Sequence, residues 1–142
     1  MTEIDFYLLN SEDWQHFCCR LIAQVYSRGH QIDCLLADPQ SVSELDDALW
    51  CFHTSSFIPH IVMPAAKIAA FSPIRLATTS EAIKNGNPKD VLINLRAEIA
   101  DGFNQFKRVA EIVPNIDSVK SEARRRFRQY QHRGHRLRTH QI

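Results

Sequence analysis

The sequence predicts an α/β fold with three layers, α/β/α, in which helices cover both faces of a mostly parallel sheet. Short runs of β-branched and aromatic residues alternate with amphipathic helical patterns in the order βαβα, which favours parallel strands joined by helical crossovers. The chain has 142 residues, which suits a single domain with one core. Its composition, 44% hydrophobic and 23% charged, is that of an ordinary folded protein.

The N-terminal elements carry the clearest pattern. The run from Ile4 to Leu9 is short and apolar, as expected of a buried strand. Ser11 is the expected N-cap of a first helix, and Gly29 supplies its end. A second strand is predicted over 31–37, and a second helix begins near Pro39 and reaches Trp50.

The middle of the chain is less regular. The segment from Phe57 to Pro73 contains three prolines and no clean period, which predicts a loop with at most a short irregular strand. Further strands are predicted over 74–78, 90–95 and 109–113, and an Asn-Gly-Asn-Pro turn over 85–88 lies between the first two of them.

The last helix has an apolar face and a basic face side by side. It is predicted over about 118–133, with Asp117 as its cap and Gly134 as its stop. At about 100° per residue, its apolar side chains fall within an arc of about 80°. They are Val119, Ala123, Phe127 and Tyr130.

Basic residues at helical spacing flank this apolar face. Lys120, Arg124 and Arg128 recur at i, i+4 and i+8, and we call them the basic row. Phe127 lies at the boundary between the two faces. From Lys120 onward the chain has one acid, Glu122, and eight basic residues, so the preceding part is net acidic although the whole chain is +1. The eight are Lys120, Arg124, Arg125, Arg126, Arg128, Arg133, Arg136 and Arg138.

Such a surface suits an anionic partner of one of two kinds. It could bind the phosphates of a nucleic acid, or an acidic peptide whose carboxylates pair with arginine and whose apolar residue packs on Phe127. A solvated helix face is the third interpretation of a charge run of this kind. The residues alone leave these alternatives open.

Several functional classes lack their sequence signals. The turn after the first strand, Asn10 to Asp13, has no glycine and carries two acids, so a nucleotide phosphate site is not expected there. The sequence contains no GxSxG or HExxH motif and no phosphate-binding GxxxxGK[ST] loop. We therefore expect neither a catalytic site nor a cofactor.

Metal binding and export are also not expected. The cysteines, Cys18, Cys19, Cys34 and Cys51, form no CxxC pair, and they are expected to be reduced thiols. The longest apolar stretch, 57–71, is interrupted by prolines, a histidine and a lysine, and it is too short to span a membrane. Acidic residues near the N-terminus differ from a signal peptide, so the expected location is the cytoplasm.

Several segments resemble one known family in its own order along nearly the whole chain. They are DFYLL at 5–9, LDDALW at 45–50, SFIPH at 56–60, DVLINLR at 90–96 and VPNIDSVKSEARRRFRQYQHRG at 113–134. Together they resemble the chi subunit of bacterial DNA polymerase III. The resemblance implies a Rossmann-like fold without a nucleotide site, a non-catalytic role in DNA replication, and two protein partners.

The resemblance assigns residues to each partner. The acidic C-terminal tail of single-stranded DNA-binding protein is expected to bind the final helix, with its terminal apolar residue in a small pocket. The matching positions here are Val113, Lys120, Arg124, Phe127 and Arg128, where Phe127 replaces a tyrosine that is frequent in the family.

The psi subunit, which links chi to the clamp loader, is expected to bind at Trp50, Phe57 and Pro59. The resemblance therefore implies that contact with DNA is mainly indirect. A direct single-stranded nucleic-acid-binding protein that uses the basic helix stays open as the alternative.

Overall fold

The computed structural model of the chain describes residues 2–52, 58–63, 72–81 and 90–142. Three helices of the described chain are α1 (Trp14–Ser27), α2 (Pro39–Cys51) and α3 (Asp117–His132). The strands are β1 (Glu3–Leu8), β2 (Ile32–Leu35), β3 (Ile61–Val62), β4 (Ile74–Ala77), β5 (Val91–Asn94), β6 (Arg108–Val113) and β7 (Leu137–Gln141). A 3-10 turn, Phe103–Gln105, precedes β6.

The strands form one sheet in the order β3-β4-β2-β5-β6-β1-β7, and every described pairing is parallel. The predicted α/β class with a mostly parallel sheet is therefore confirmed. Strand β1 lies between β6 and β7, so that Leu8 is level with Val113 on one side and Gln141 on the other. The carboxyl ends of these three strands meet at one edge of the sheet.

Two apolar clusters fill the space on the two faces of the sheet. One joins α1 and α2 to side chains such as Cys34, Leu76 and Ile93, and the other joins α3 to side chains such as Ile4 and Phe6. Because side chains alternate along a strand, β1, β2, β4, β5 and β6 each contribute to both clusters. This arrangement gives the three layers that the sequence predicts.

The inner strands also carry charge, which is paired. Arg75 of β4 donates two hydrogen bonds to Asp33 of β2, from Nε to Oδ1 at 2.7 Å and from Nη2 to Oδ2 at 2.8 Å. Both side chains are 1% exposed. A buried pair with two parallel hydrogen bonds satisfies charges that could not be left alone in this environment.

The structure differs from the sequence-based expectations at element ends and at the C-terminus. Asp13, rather than Ser11, caps α1, because its Oδ1 accepts the backbone N–H of His16 at 3.2 Å. The basic segment after Gly134, for which the sequence predicts no strand, contains β7. The predicted turn at 85–88 lies outside the described residues. In the described part of the chain, no helix has the length and apolar content needed to cross a membrane.

Candidate functional site

Helix α3 separates its apolar and basic faces as predicted. Ala123 and Tyr130 are buried against the sheet, and Val119 and Phe127 are partly buried beside them. Arg124 and Arg128 are exposed and Lys120 is half-buried. Within the described residues, no carboxylate lies within ion-pair distance of this basic row. The row is therefore available to an external anion.

A pocket of about 330 Å³ lies beside the basic row, between α3 and the end of the sheet. Its apolar floor consists of Phe6, Leu8 and Leu9 from β1 and the residue after it, with Val113 at the end of β6. Phe127 forms a wall from α3, and its ring packs edge-on against Phe6 at a centroid distance of 5.3 Å. The cavity is thus lined by apolar side chains that the fold holds in place.

The rim of the pocket has two unlike sides. Lys120 and Arg124 lie on the α3 side, and Thr139 and Gln141 of β7 lie on the other. An apolar side chain of a ligand can fill the cavity while carboxylates of the same ligand pair with Lys120 and Arg124. Such a combination of an apolar cavity and a few charged groups is typical of sites that recognise one defined chemical group.

A buried polar network fixes α3 on the sheet beneath this pocket. Glu111 of β6 is fully buried and accepts hydrogen bonds from three side chains. Tyr130 Oη donates to it at 2.7 Å, Arg126 Nε at 3.0 Å and Asn94 Nδ2 at 3.0 Å. Arg126 also donates to the carbonyl of Ala97 at 3.0 Å. The network therefore ties α3 to β5, to β6 and to the segment that follows β5.

Burial affects the protonation of this network. Desolvation raises the pKa of Glu111 above its usual value, and the nearby Arg126 guanidinium opposes that rise. Burial also raises the pKa of Tyr130, as does the neighbouring Glu111 carboxylate, so the phenol keeps its proton and can donate to Glu111. Arg126 belongs to this internal network and does not contribute to the cationic surface.

The charges of β7 are also partly engaged within the molecule. Arg138 Nε donates to the buried Asp5 at 2.9 Å, and Arg138 also pairs with Glu3 at 3.4 Å. His140 Nε2 lies 2.9 Å from Asp5 Oδ1, and its ring stacks on Tyr7 at 4.8 Å. These contacts hold β7 against β1 on the face opposite the pocket. They also reduce the positive charge that β7 offers to an external ligand.

At the carboxyl edge of the sheet, aspartates cap the N-termini of α1 and α2. Helix α3 begins at Asp117 without a side-chain cap, so the prediction of Asp117 as its cap is wrong. Asp13 caps α1, and Asp38 caps α2 by accepting the backbone N–H of Ser41 at 2.8 Å. This hydrogen bond lowers the pKa of Asp38. A carboxylate at each position occupies the amides that a phosphate would need and repels an anion. Among the described residues, no group of histidine, cysteine and carboxylate side chains is arranged to hold a metal.

A second exposed feature lies on α2 and the segment before β3. The Trp50 side chain is 55% exposed, and its ring contacts that of the buried His60 at 4.6 Å. His60 Nε2 lies 3.0 Å from Asp46 Oδ1. Pro59 is half-buried next to this group, and Phe57 lies outside the described residues. An exposed tryptophan held on one side by a buried ring is typical of an interface anchor.

Comparison with known proteins gives the family. Residues 1–138 match the family described as DNA polymerase III chi subunit, HolC. The DNA polymerase III subunit chi of Pseudomonas aeruginosa is 35% identical over 145 aligned residues, covering 100% of this chain and 98% of the relative. Subunits of the same name from Escherichia coli K12 and Haemophilus influenzae are 28% and 27% identical, with at least 95% of each chain covered.

The chain belongs to the DNA polymerase III chi subunit family. Membership confirms the resemblance found in the sequence and gives the chain an accessory role in DNA replication, as a subunit of a polymerase complex. The observed fold agrees with the fold that this resemblance implies.

In this chi-family chain, the resemblance assigns five residues to binding of the tail of single-stranded DNA-binding protein, and most of them lie close together. Val113, Lys120, Arg124 and Phe127 all line the pocket, whereas Arg128 lies outside it and donates from Nε to the carbonyl of Arg124 at 3.4 Å. The sequence does not predict that Thr139 and Gln141 of β7 line one side of the pocket. The sequence signal for β7 is weak: Leu137, Thr139 and Gln141 alternate with Arg138 and His140, but the run is largely polar and resembles a continued basic tail.

Proposed function

We propose that the chain is a non-catalytic adaptor that connects the clamp loader of DNA polymerase III to single-stranded DNA-binding protein in the cytoplasm. The pocket beside α3 receives the acidic C-terminal tail of that protein. The observation that carries the proposal is the combination of an apolar 330 Å³ cavity with Lys120 and Arg124 at its rim.

The two halves of this site fit the two chemical features of such a tail. The terminal apolar side chain enters the cavity and packs on Phe127, Phe6 and Leu8. The terminal carboxylate and the preceding acids pair with Lys120 and Arg124, and Arg128 extends the attraction along the helix. A bare nucleic acid would use the charges and leave the apolar cavity empty.

The surface around Trp50 is the proposed binding site for the psi subunit. Its exposed indole and the half-buried Pro59 offer an apolar contact, and Phe57 is the third residue proposed for it. Large aromatic side chains of this kind supply much of the binding energy in protein interfaces. Through psi, the chain would be held on the clamp loader while α3 stays accessible.

In this role the chain carries out no chemical step itself. The carboxylate caps of α1 and α2 oppose phosphate binding at the edge of the sheet where many folds of this class bind nucleotides. Burial raises the pKa of both Glu111 and Tyr130, but both side chains are fully buried beneath α3, where Tyr130 Oη donates a hydrogen bond to Glu111.

Calorimetry with tail peptides of single-stranded DNA-binding protein tests the proposal. The intact tail should bind more tightly than a tail that lacks its final apolar residue, by about 1.5–3 kcal/mol, because burying such a side chain contributes about that amount. The affinities of both peptides should fall to a similar degree with added salt, because the two peptides carry the same acidic side chains.

Titrations with the two peptides and with bare single-stranded DNA distinguish the adaptor role from direct nucleic-acid binding. Equal affinities for the two peptides would contradict a pocket and would leave α3 as a generic anion-binding face. Binding of bare single-stranded DNA at comparable affinity, with a steep loss of affinity on addition of salt, would favour the direct nucleic-acid-binding function.

A further inference from the structure

The outer edge of β7 carries backbone groups that point away from the sheet. Strand β7 is the last strand in the described sheet and pairs with β1 alone. The amide of Ile142 donates to the carbonyl of Leu8 at 3.0 Å. Because backbone groups alternate along a strand, the amides of Arg138 and His140 also point toward β1. Those of Thr139 and Gln141 therefore point outward.

The same two residues line the pocket. The side chains of Thr139 and Gln141 form its β7 side, opposite Lys120 and Arg124. A ligand whose terminal side chain fills the cavity consequently has its backbone next to the outward amides and carbonyls of β7. The outward backbone groups of β7 and the apolar cavity therefore lie next to each other.

The edge is already fixed in the geometry that an added strand needs. The Arg138 and His140 contacts with Asp5, and the stacking of His140 on Tyr7, hold β7 on β1 from the other face. An ordered edge lowers the entropy cost of binding, because only the peptide has to lose conformational freedom. Nearby Arg136 is exposed and adds positive charge to the start of the strand.

We infer that the acidic peptide binds as an added strand along the outer edge of β7, with its terminal apolar side chain in the α3 pocket. This inference rests on the proposed function, and it concerns how the peptide backbone is recognised. Main-chain hydrogen bonds to Thr139 and Gln141 would supply affinity that does not depend on side chains, and the pocket and Lys120 would select the end of the peptide.

The direction of the added strand follows from the position of the pocket. Leu8, Val113 and Gln141, at the carboxyl ends of their strands, line it together with Lys120 near the start of α3. Arg128 lies two turns further along a helix that returns toward the opposite end of the sheet. A peptide that ends in the pocket therefore runs parallel to β7, with its preceding acids toward Arg124, Arg128 and Arg136.

Backbone methylation of a synthetic peptide tests the inference. The probe is a short run of aspartates ending in phenylalanine with a free carboxylate, made unmodified and with one N-methyl group at each successive position. In an added strand only alternate amides face β7, so every second methyl group should weaken binding by tenfold or more. The other positions should have much smaller effects.

Each outcome has a defined meaning. Tight binding of the unmodified peptide with no alternation among the methylated peptides overturns the added strand and leaves the proposed function in place. Failure of the unmodified peptide to bind overturns both. Alternation with a period of two supports the inference, because side-chain recognition alone would not produce it.

Variants of Thr139 give an independent test on the protein side. Thr139→Pro removes an amide that the pairing with β1 does not use, and proline is tolerated on edge strands. Thr139→Val is the matched variant, because it keeps the amide and changes the side chain. We expect Thr139→Pro to bind the unmodified peptide at least tenfold more weakly than Thr139→Val does.

Hydrogen exchange of the wild-type amides completes the test and does not depend on the folding of a variant. Peptide binding should slow exchange at Thr139 and Gln141 and leave Arg138 and His140, which are already bonded to β1, unchanged. Unchanged exchange at Thr139 and Gln141 in the peptide-saturated protein would overturn the inference.

Discussion

Glu111 is the residue whose environment most constrains the position of α3. It is fully buried, and Arg126, Tyr130 and Asn94 all donate hydrogen bonds to it. In the sequence, Arg126 is one of eight basic residues near the C-terminus. The spacing of charges does not distinguish an arginine exposed to solvent from one that forms an ion pair with a carboxylate on a distant strand. The local sequence does not predict that Glu111 is buried, because its hydrogen-bond partners lie on β5 and α3.

Substitutions in this network should destabilise the fold to different degrees. Glu111→Gln leaves the Arg126 guanidinium buried without an anionic partner and should lower the free energy of unfolding by about 3–5 kcal/mol. Tyr130→Phe removes one hydrogen bond to a charged acceptor and should lower it by about 1.5–3 kcal/mol. Urea unfolding measures both. Arg125→Gln, at an exposed position of the same helix, is the control and should change little; a Glu111→Gln variant as stable as this control would contradict the account.

The cysteine thiols should differ in reactivity according to burial. Burial raises the pKa of Cys18 and Cys34 and raises that of Cys19 to about 11, so few thiolates form at neutral pH, whereas Cys51 is exposed. In the folded protein a thiol reagent should modify one cysteine rapidly. Cys51→Ser should abolish that fast reaction, and urea should expose the remaining three. A second fast thiol in native wild type would contradict the described packing.

Among the elements, helical spacing predicts the basic row and the apolar face of α3, and the structure confirms both. The same spacing predicts helix α1, whereas the prediction of Ser11 as its cap is wrong, because Ser and Asp have similar capping preferences and both precede the helix. Strand β7 could not be predicted. Its basic side chains are accommodated by Asp5 and Glu3 near the other end of the chain, and no local pattern reports such a long-range contact.

Charge reversal on α3 should have effects that depend on position around the helix. Arg124 lines the pocket, so Arg124→Glu should weaken binding of the tail peptide by at least ~2 kcal/mol, because carboxylate pairing becomes repulsion. Arg128→Glu should weaken it less, since Arg128 lies outside the pocket. Calorimetry with the intact tail peptide measures each variant.

The matched control is Arg125→Glu. It changes the net charge by the same amount, but Arg125 lies about 100° further around the helix and lines a different surface. Its effect should be small and should disappear in high salt. Equal losses for Arg124→Glu and Arg125→Glu would show that only overall charge matters, and they would remove the pocket from the explanation.

At the scale of the whole molecule, the two proposed surfaces lie toward opposite edges of the sheet. The pocket adjoins β7 at one end of the strand order, and Trp50 belongs to α2, which packs near β3 and β4 at the other end. The α/β class was predictable because alternating elements restrict parallel folds strongly. The position of β7 beside β1, and with it half of the pocket rim, depends on pairing that the sequence pattern does not specify.

Because the two proposed surfaces are separate, a substitution in one of them should weaken binding of one partner and leave binding of the other unchanged. Trp50→Ala should weaken binding of the psi subunit by roughly 2 kcal/mol, as for other aromatic interface anchors, and should leave the affinity for the tail peptide unchanged. Ile142→Ala is the control, because Ile142 is also apolar and exposed but follows β7. Titration with purified psi measures both variants. If the two variants weaken psi binding equally, the surface around Trp50 is not the interface.

Sedimentation of the chain mixed with psi and single-stranded DNA-binding protein tests the adaptor role most directly. We expect one complex that contains all three proteins. Arg124→Glu should release single-stranded DNA-binding protein while psi stays bound, and Trp50→Ala should have the opposite effect. Two separate binary complexes, with psi and single-stranded DNA-binding protein competing for the chain, would rule out the adaptor role.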